Sequence, residues 1–291
     1  MPSKFLSGSV GYTLLEYNNM FVLLFADIHD GIEYCKKNDS EFIASFLNRT
    51  GNKQKNKILL EEIIREQFKL TELWPNAKHT QELKVLNKDN QNIIPVDIRP
   101  MLIPFSWELV STNDNLGSVP LLVYINNLQK LFNQESTIYI KYFLPHIEEM
   151  KRRQDSITDS KLSPLVHLNE LKLIFEEFKN NYKDLMDKPI YFLIKTNIQI
   201  LYRINNLISM IMEWYIVLLI HTEMKNTIIH VGLAHSNRLL LLLQKVYRFK
   251  IVNQVGINEM SQLSSSVPYA CVMLSEDINN MYNRKYGFVN S

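Results

Sequence analysis

Two histidines and five carboxylates stand where short apolar runs of the sequence break off. The first run, Phe21-Val22-Leu23-Leu24-Phe25-Ala26, ends in Asp27-Ile28-His29-Asp30-Gly31. Ile58-Leu59-Leu60 ends in Glu61-Glu62, Ile93 to Val96 ends in Asp97-Ile98-Arg99, and Ile228 to Val231 ends in Gly232-Leu233-Ala234-His235. An imidazole so placed can act as a general base, activate a nucleophile or bind a metal, because its pKa lies near neutrality. A carboxylate beside it can hold the imidazole tautomer, move a proton itself or complete a metal shell. His29, His235, Glu61, Glu62 and Asp97 are therefore the catalytic candidates. Strand alternation allows one of Glu61 and Glu62, but not both, to face a common pocket. Arg99 can grip a carboxylate or phosphate bidentately, and Asp30 and Glu213 join it as substrate-binding candidates. His29, His235 and Asp27 are the candidate ligands for a divalent metal ion. The structural alternative for all of these groups is capping of helices or pairing with a cation such as Arg99.

Each apolar run has the length and composition of a strand buried on both faces. In open α/β sheets, ligands bind just beyond the carboxyl ends of such strands. Gly11 to Tyr17 forms an additional strand, and Asn18-Asn19 turns it into the first run as a hairpin. Asp39-Ser40 is placed to cap a helix closed by Gly51, and Trp74-Pro75-Asn76 to start another near Ala77. From Pro104 to Glu223 the pattern is helical, with apolar residues at three- and four-residue spacing. Leu165 to Met186 and Ile190 to His221 read as two long helices. Beyond the strand at Thr227–Gly232 come a helix from Ser236 to about Tyr247, a strand at Lys250–Val255 and a helical tail. The order predicts an α/β fold: a mostly parallel sheet flanked by helices, with a large helical insertion between the third and fourth core strands. Residues 1–103 and 224–291 are its two halves and 104–223 the insertion, together one composite domain.

The totals narrow the class. The chain has 291 residues with 32 basic against 30 acidic side chains, a net charge of +2, which argues against nucleic acid or an anionic membrane as partner. Only eight glycines leave little room for phosphate loops, and Gly232-Leu233-Ala234-His235 lacks the further glycines of a dinucleotide loop. No His-Glu-x-x-His, paired Cys-x-x-Cys or Gly-x-Ser-x-Gly motif is present. The two cysteines, Cys35 and Cys271, read as reduced thiols. The N-terminal residues have no apolar core of signal-peptide length, and Leu207 to Ile220 falls short of a bilayer span. These features predict a cytoplasmic, non-secreted protein without a membrane partner.

The motifs also resemble a family. Asp27-Ile28-His29-Asp30 resembles the Gly-Glu-x-His motif that ends the first strand in the erythromycin-esterase/ChaN-like superfamily, which includes TraB and TIKI proteins. Glu61 or Glu62 falls where that family places an acid, Asp97-Ile98-Arg99 is similar to its third-strand acidic-basic pair, and Gly232-Leu233-Ala234-His235 to its Gly-x-x-His. Met212-Glu213-Trp214-Tyr215, followed by this last segment, is similar to uncharacterised giant-virus members. The resemblance covers roughly residues 12–100 and 210–255. It implies a parallel α/β fold with a His- and acid-lined pocket. Its characterised members include esterases, metal-dependent proteases and a haem-binding protein.

Two functions are consistent with these residues. The first is a hydrolase-like pocket, metal-assisted or metal-free, acting on a small molecule or peptide, with His29 and His235 as base or ligands and Arg99 orienting an anionic group. The second is a viral protein with a degenerate pocket and a structural or protein-binding role, resident in host cytoplasm or virion and contacting other viral proteins. Ala26-Asp27 stands where the family carries Gly-Glu, which shortens the carboxylate by one methylene and favours the second.

Overall fold

The computed structural model describes residues 4–28, 34–51, 56–64, 82–83, 85, 90–102, 118–132, 136–154, 164–223, 226–263, 270–276 and 278. The chain divides into two compact units, one of Met1–Ile64, Trp74–Asp97 and Met224–Ser291, the other of Arg65–Leu73 and Ile98–Glu223.

The first unit contains β1 (Phe5–Ser7), β2 (Gly11–Tyr17), β3 (Met20–Asp27), β4 (Ser40–Phe42), α1 (Ile43–Gly51), β5 (Asn56–Ile63) and β6 (Ile93–Asp97). In the second unit lie α2 (Arg99–Leu102), α3 (Leu121–Gln129), α4 (Leu144–Gln154), α5 (Pro164–Asn181), α6 (Ile190–Thr196) and α7 (Ile198–Glu223). The first unit resumes with β7 (Asn226–Gly232), α8 (Leu233–Lys245), β8 (Lys250–Gly256) and β9 (Cys271–Met273).

Six strands form one sheet in the order β6-β5-β7-β3-β2-β8. The first four are mutually parallel, whereas β2 runs antiparallel to both β3 and β8. The sheet is thus mixed rather than purely parallel, because the Asn18-Asn19 turn reverses the chain. Asn18 and Asn19 have φ of 47° and 62°, the pair of positive values a type I′ hairpin turn requires. Pro95, which has no N–H to give a ladder, is tolerated because β6 is an edge strand. A closer constraint acts where β2 begins and β8 ends. Gly256 has φ of +77°, and a Cβ there would lie 2.3 Å from the Val10 carbonyl oxygen.

Both faces of the sheet are covered, which is why its central strands read as unbroken apolar runs. Ile43, Phe46 and Leu47 of α1 pack on one face with Tyr12, Leu23, Phe25, Ile58, Leu60 and Ile228. On the other face Leu233 joins Ala26 and Val10, and α8 buries Leu239, Leu240 and Leu243 at helical spacing. A second, three-stranded sheet has the order β4-β1-β9.

Several expectations need correction. Ser40 lies in a strand parallel to β1, so the helix expected from the Asp39-Ser40 cap begins at Ile43. The helix expected over Ile190 to His221 is broken at Asn197, whose φ of −145° and ψ of 82° leave the helical region. Asn197 then starts α7, its side-chain oxygen accepting the Ile200 N–H at 3.3 Å, as an N-cap asparagine does. The C-terminal tail contributes strand β9. Cys35 and Cys271, expected as reduced thiols, are joined in a disulfide with Cα atoms 4.7 Å apart. Their 236-residue separation hid a proximity that only the small sheet creates. The helix expected near Ala77 lies outside the described residues.

In the second unit, α7 is the central element. Its Tyr202–Thr222 segment has mean hydropathy 1.4 and is 78% buried within the protein. Trp214 stacks on Phe143 with ring centroids 4.7 Å apart, and Tyr215 meets Phe143 at 5.5 Å. The helix is thus long and apolar enough to cross a membrane, contrary to the expectation from Leu207 to Ile220, and most of that stretch is buried within the protein.

Candidate functional site

The carboxyl ends of β6, β5, β7 and β3 lie side by side, carrying Asp97, Glu61, Gly232 and Asp27 in that order. Asp27 is in register with Gly232, and the β5–β7 ladder runs to Leu60 opposite His230. Ile63 is in register with Asp97, past an irregularity between Leu60 and Ile63. That irregularity falls on Glu61 and Glu62. An inserted residue of this kind re-aims side chains at a strand end. Asp27 and Asp97 are 1% and 2% exposed.

Glu61 is the organising group. Its Oε2 accepts the Gly232 N–H at 2.6 Å, and its Oε1 lies 3.3 Å from His235 Nε2. Both side chains are almost sealed from solvent, at 6% for Glu61 and 8% for His235. Gly232 is the N-cap of α8 and has no side chain to cap it. The carboxylate of the neighbouring strand takes over that duty, where the helix dipole also favours negative charge. On the far side of the ring, Arg238 Nη2 approaches His235 Nδ1 at 3.1 Å. The result is a chain of contacts from Arg238 through His235 and Glu61 to the Gly232 backbone.

Sheet geometry separates this chain from Asp27. Residues in register on parallel strands project to the same face, and neighbours along a strand to opposite faces. Phe25, His230 and Leu60 are in register, and Phe25 packs against α1. Asp27, two residues beyond Phe25, is directed to the α1 face. Glu61, one residue beyond Leu60, is directed to the α8 face, in agreement with its contacts. The rim is therefore shared, but its two faces present different groups.

The expected residues divide accordingly. The structure brings Glu61 and His235 together, and it sets Asp27 and Asp97 on the ends of β3 and β6, with β5 and β7 between them. Arg99 opens α2 and Glu213 lies within α7; both are buried in the second unit. His29, Asp30 and the Glu62 side chain lie outside the described residues. Two participants were not foreseen. Arg238 follows His235 by three residues on one helix, a spacing that makes neighbours and was readable from the sequence. Ser9 donates its hydroxyl to the Ala26 carbonyl at 2.7 Å, anchoring the end of β3 next to Asp27; its distance in sequence gave no sign of this.

A divalent metal needs several converging donors. Among the described residues, no group of three His, Cys, Asp or Glu side chains could hold one. Both ring nitrogens of His235 already face other groups. The described donors do not make a metal shell, and His29, the other expected imidazole ligand, is not among them.

No protein-family model, curated protein or solved structure matches the chain. What the fold and site define is an α/β protein with an acid–imidazole pair at the carboxyl rim of its sheet.

Proposed function

We propose that this chain is a hydrolase-like protein whose reaction site is the α8 side of the sheet rim, acting on a small molecule or peptide. The observation that carries the reading is the buried Glu61–His235 contact at 3.3 Å. It lies where open α/β sheets place their ligands. A carboxylate that orients an imidazole is the recurrent means of preparing that ring to accept a proton from water or a nucleophile. Glu61 is itself held by the Gly232 N–H, so the pair has the second layer of support that a working base requires. The resemblance to the erythromycin-esterase/ChaN-like superfamily supports the same reading, since it assigns an acid and the Gly-x-x-His histidine to one pocket.

The experiment is a hydrolysis screen of ester, amide and peptide substrates with wild type, Glu61→Gln and His235→Gln. Turnover by wild type that both variants lose supports the reading. Turnover unchanged in both variants, or none by wild type on any substrate, overturns it.

The alternative is a catalytically degenerate viral protein with a virion-structural or protein-binding role. The observation favouring it is apolar exposure on the helical stretch that was read as an insertion. Leu173 is 70%, Tyr202 62% and Ile140 52% exposed, and large apolar groups on helix surfaces suit protein partners. In that case Leu173→Glu or Tyr202→Glu abolishes association with other proteins while His235→Gln does not.

A further inference from the structure

A guanidinium has only hydrogen-bond donors. Arg238 Nη2 lies 3.1 Å from His235 Nδ1, so Nδ1 is the accepting nitrogen of that contact. The other ring nitrogen, Nε2, faces the Glu61 carboxylate at 3.3 Å, and a carboxylate accepts. One neutral tautomer satisfies both contacts: the proton on Nε2 and the lone pair on Nδ1. The reverse tautomer sets a lone pair against the carboxylate and an N–H against the guanidinium. Glu61 and Arg238 each exclude that reverse tautomer, the first at Nε2 and the second at Nδ1.

We infer that Arg238 is a positioning residue that, together with Glu61, holds His235 in its Nε2–H tautomer, making Nδ1 the atom through which this imidazole accepts a proton. The assignment rests on the reading of the rim as a reaction site, and it deepens that reading. It turns the basic nitrogen away from Glu61 and toward the half-exposed side of α8 where Arg238 lies. A substrate must then deliver its proton from that side, displacing the guanidinium as it arrives. The inner end of the ring, bound to the carboxylate, serves only to hold it. Arg238 acts through His235: it gives up its contact with Nδ1 as the substrate arrives and makes no bond to the substrate.

The test uses the whole chain labelled with ¹⁵N-histidine and long-range ¹H–¹⁵N correlation spectra at pH 8. The His235 ring is identified by the signals that vanish in His235→Gln. Wild type is expected to show the proton on Nε2 and a bare Nδ1. Arg238→Lys, which keeps a donor-only cation, is expected to retain that pattern. Arg238→Ala, with Glu61 still facing Nε2, is expected to keep the pattern, as is Glu61→Ala, with Arg238 still facing Nδ1. The double variant Glu61→Ala/Arg238→Ala is expected to lose it and shift toward a mixture of both tautomers. A wild-type proton on Nδ1, loss of the pattern in Glu61→Ala, or a pattern unchanged in the double variant overturns the inference. The wild-type spectrum alone decides which nitrogen accepts, even if the variants fail to fold. A negative hydrolysis screen with the expected tautomer would remove the proposed activity and leave this assignment standing. The opposite pair of results would do the reverse.

Discussion

Removing the Glu61 carboxylate should loosen the start of α8 far more than it loosens the rest of the protein. Glu61→Ala takes away the 2.6 Å bond to the Gly232 N–H and the facing contact with His235. A hydrogen bond to a charged group contributes about 1.5–3 kcal/mol. The favourable position at a helix N-terminus adds about 0.3–1 kcal/mol. The Gly232 N–H would be left with no side-chain cap. Together these give about 2–4 kcal/mol, or roughly 30- to 900-fold in a local opening equilibrium, at about 1.36 kcal/mol per tenfold. Glu61→Gln keeps an oxygen acceptor of the same reach and should cost about 1 kcal/mol. Because the chain has two units, a single global unfolding curve is a poor reporter, and amide hydrogen exchange is the better assay. Exchange at Gly232 and Leu233 should accelerate by the stated factor in Glu61→Ala and by less than tenfold in Glu61→Gln, with β2 and β3 unchanged. Equal rates for wild type and Glu61→Ala, or equal acceleration in both variants, would refute the capping role.

Other expectations follow from single features. His221 is half-buried in α7 with its Nε2 sealed from solvent, and desolvation pushes its pKa down to about 4, against about 6.5 in an unfolded chain. The unfolded state therefore binds the proton more readily, so the stability contribution is complete above about pH 6.5 and is lost as pH falls toward 4. The loss is about 3 kcal/mol, and the difference in stability between wild type and His221→Leu, measured by amide hydrogen exchange in α7 at pH 7.5 and 4.5, should shrink accordingly. The Cys35–Cys271 disulfide closes a loop of sequence separation 236, for which chain entropy sets an upper value of about 5 kcal/mol. Thiol titration of the denatured, unreduced chain should find no free cysteine, and Cys271→Ser should melt lower than wild type. Gly256→Ala meets both a φ of +77° and a backbone oxygen at 2.3 Å, so it should destabilise the first unit by at least about 2 kcal/mol, read by amide exchange in β2 and β3.

The central sheet was legible because burial on both faces writes an unbroken apolar run. β3, β5, β6 and β7 all announced themselves so, and Asn18-Asn19 marked the hairpin. The meeting of Glu61 and His235 was legible for the same reason, since groups that end parallel strands must gather at one rim. Less visible was which face each would take. That depends on register, and the irregularity between Leu60 and Ile63 leaves no mark in composition. The small sheet went unread because strands of three residues carry no periodicity, and with it went the cysteine pairing. The break at Asn197 was hidden by apolar residues on both sides of it. Arg238 stands away from every strand end, and its partner His235 lies one helical turn before it.

On the proposed reading the Glu61–His235 pair performs chemistry rather than only closing the end of a helix. The most direct measurement is kcat/KM of wild type and His235→Gln on the best substrate of the hydrolysis screen, with Gly232 exchange recorded on both. General-base catalysis of this kind is worth about 10²–10⁴ in rate. The account predicts a loss of at least about a hundredfold with helix protection largely kept. A loss smaller than tenfold would contradict it and leave Glu61 and His235 as structural groups.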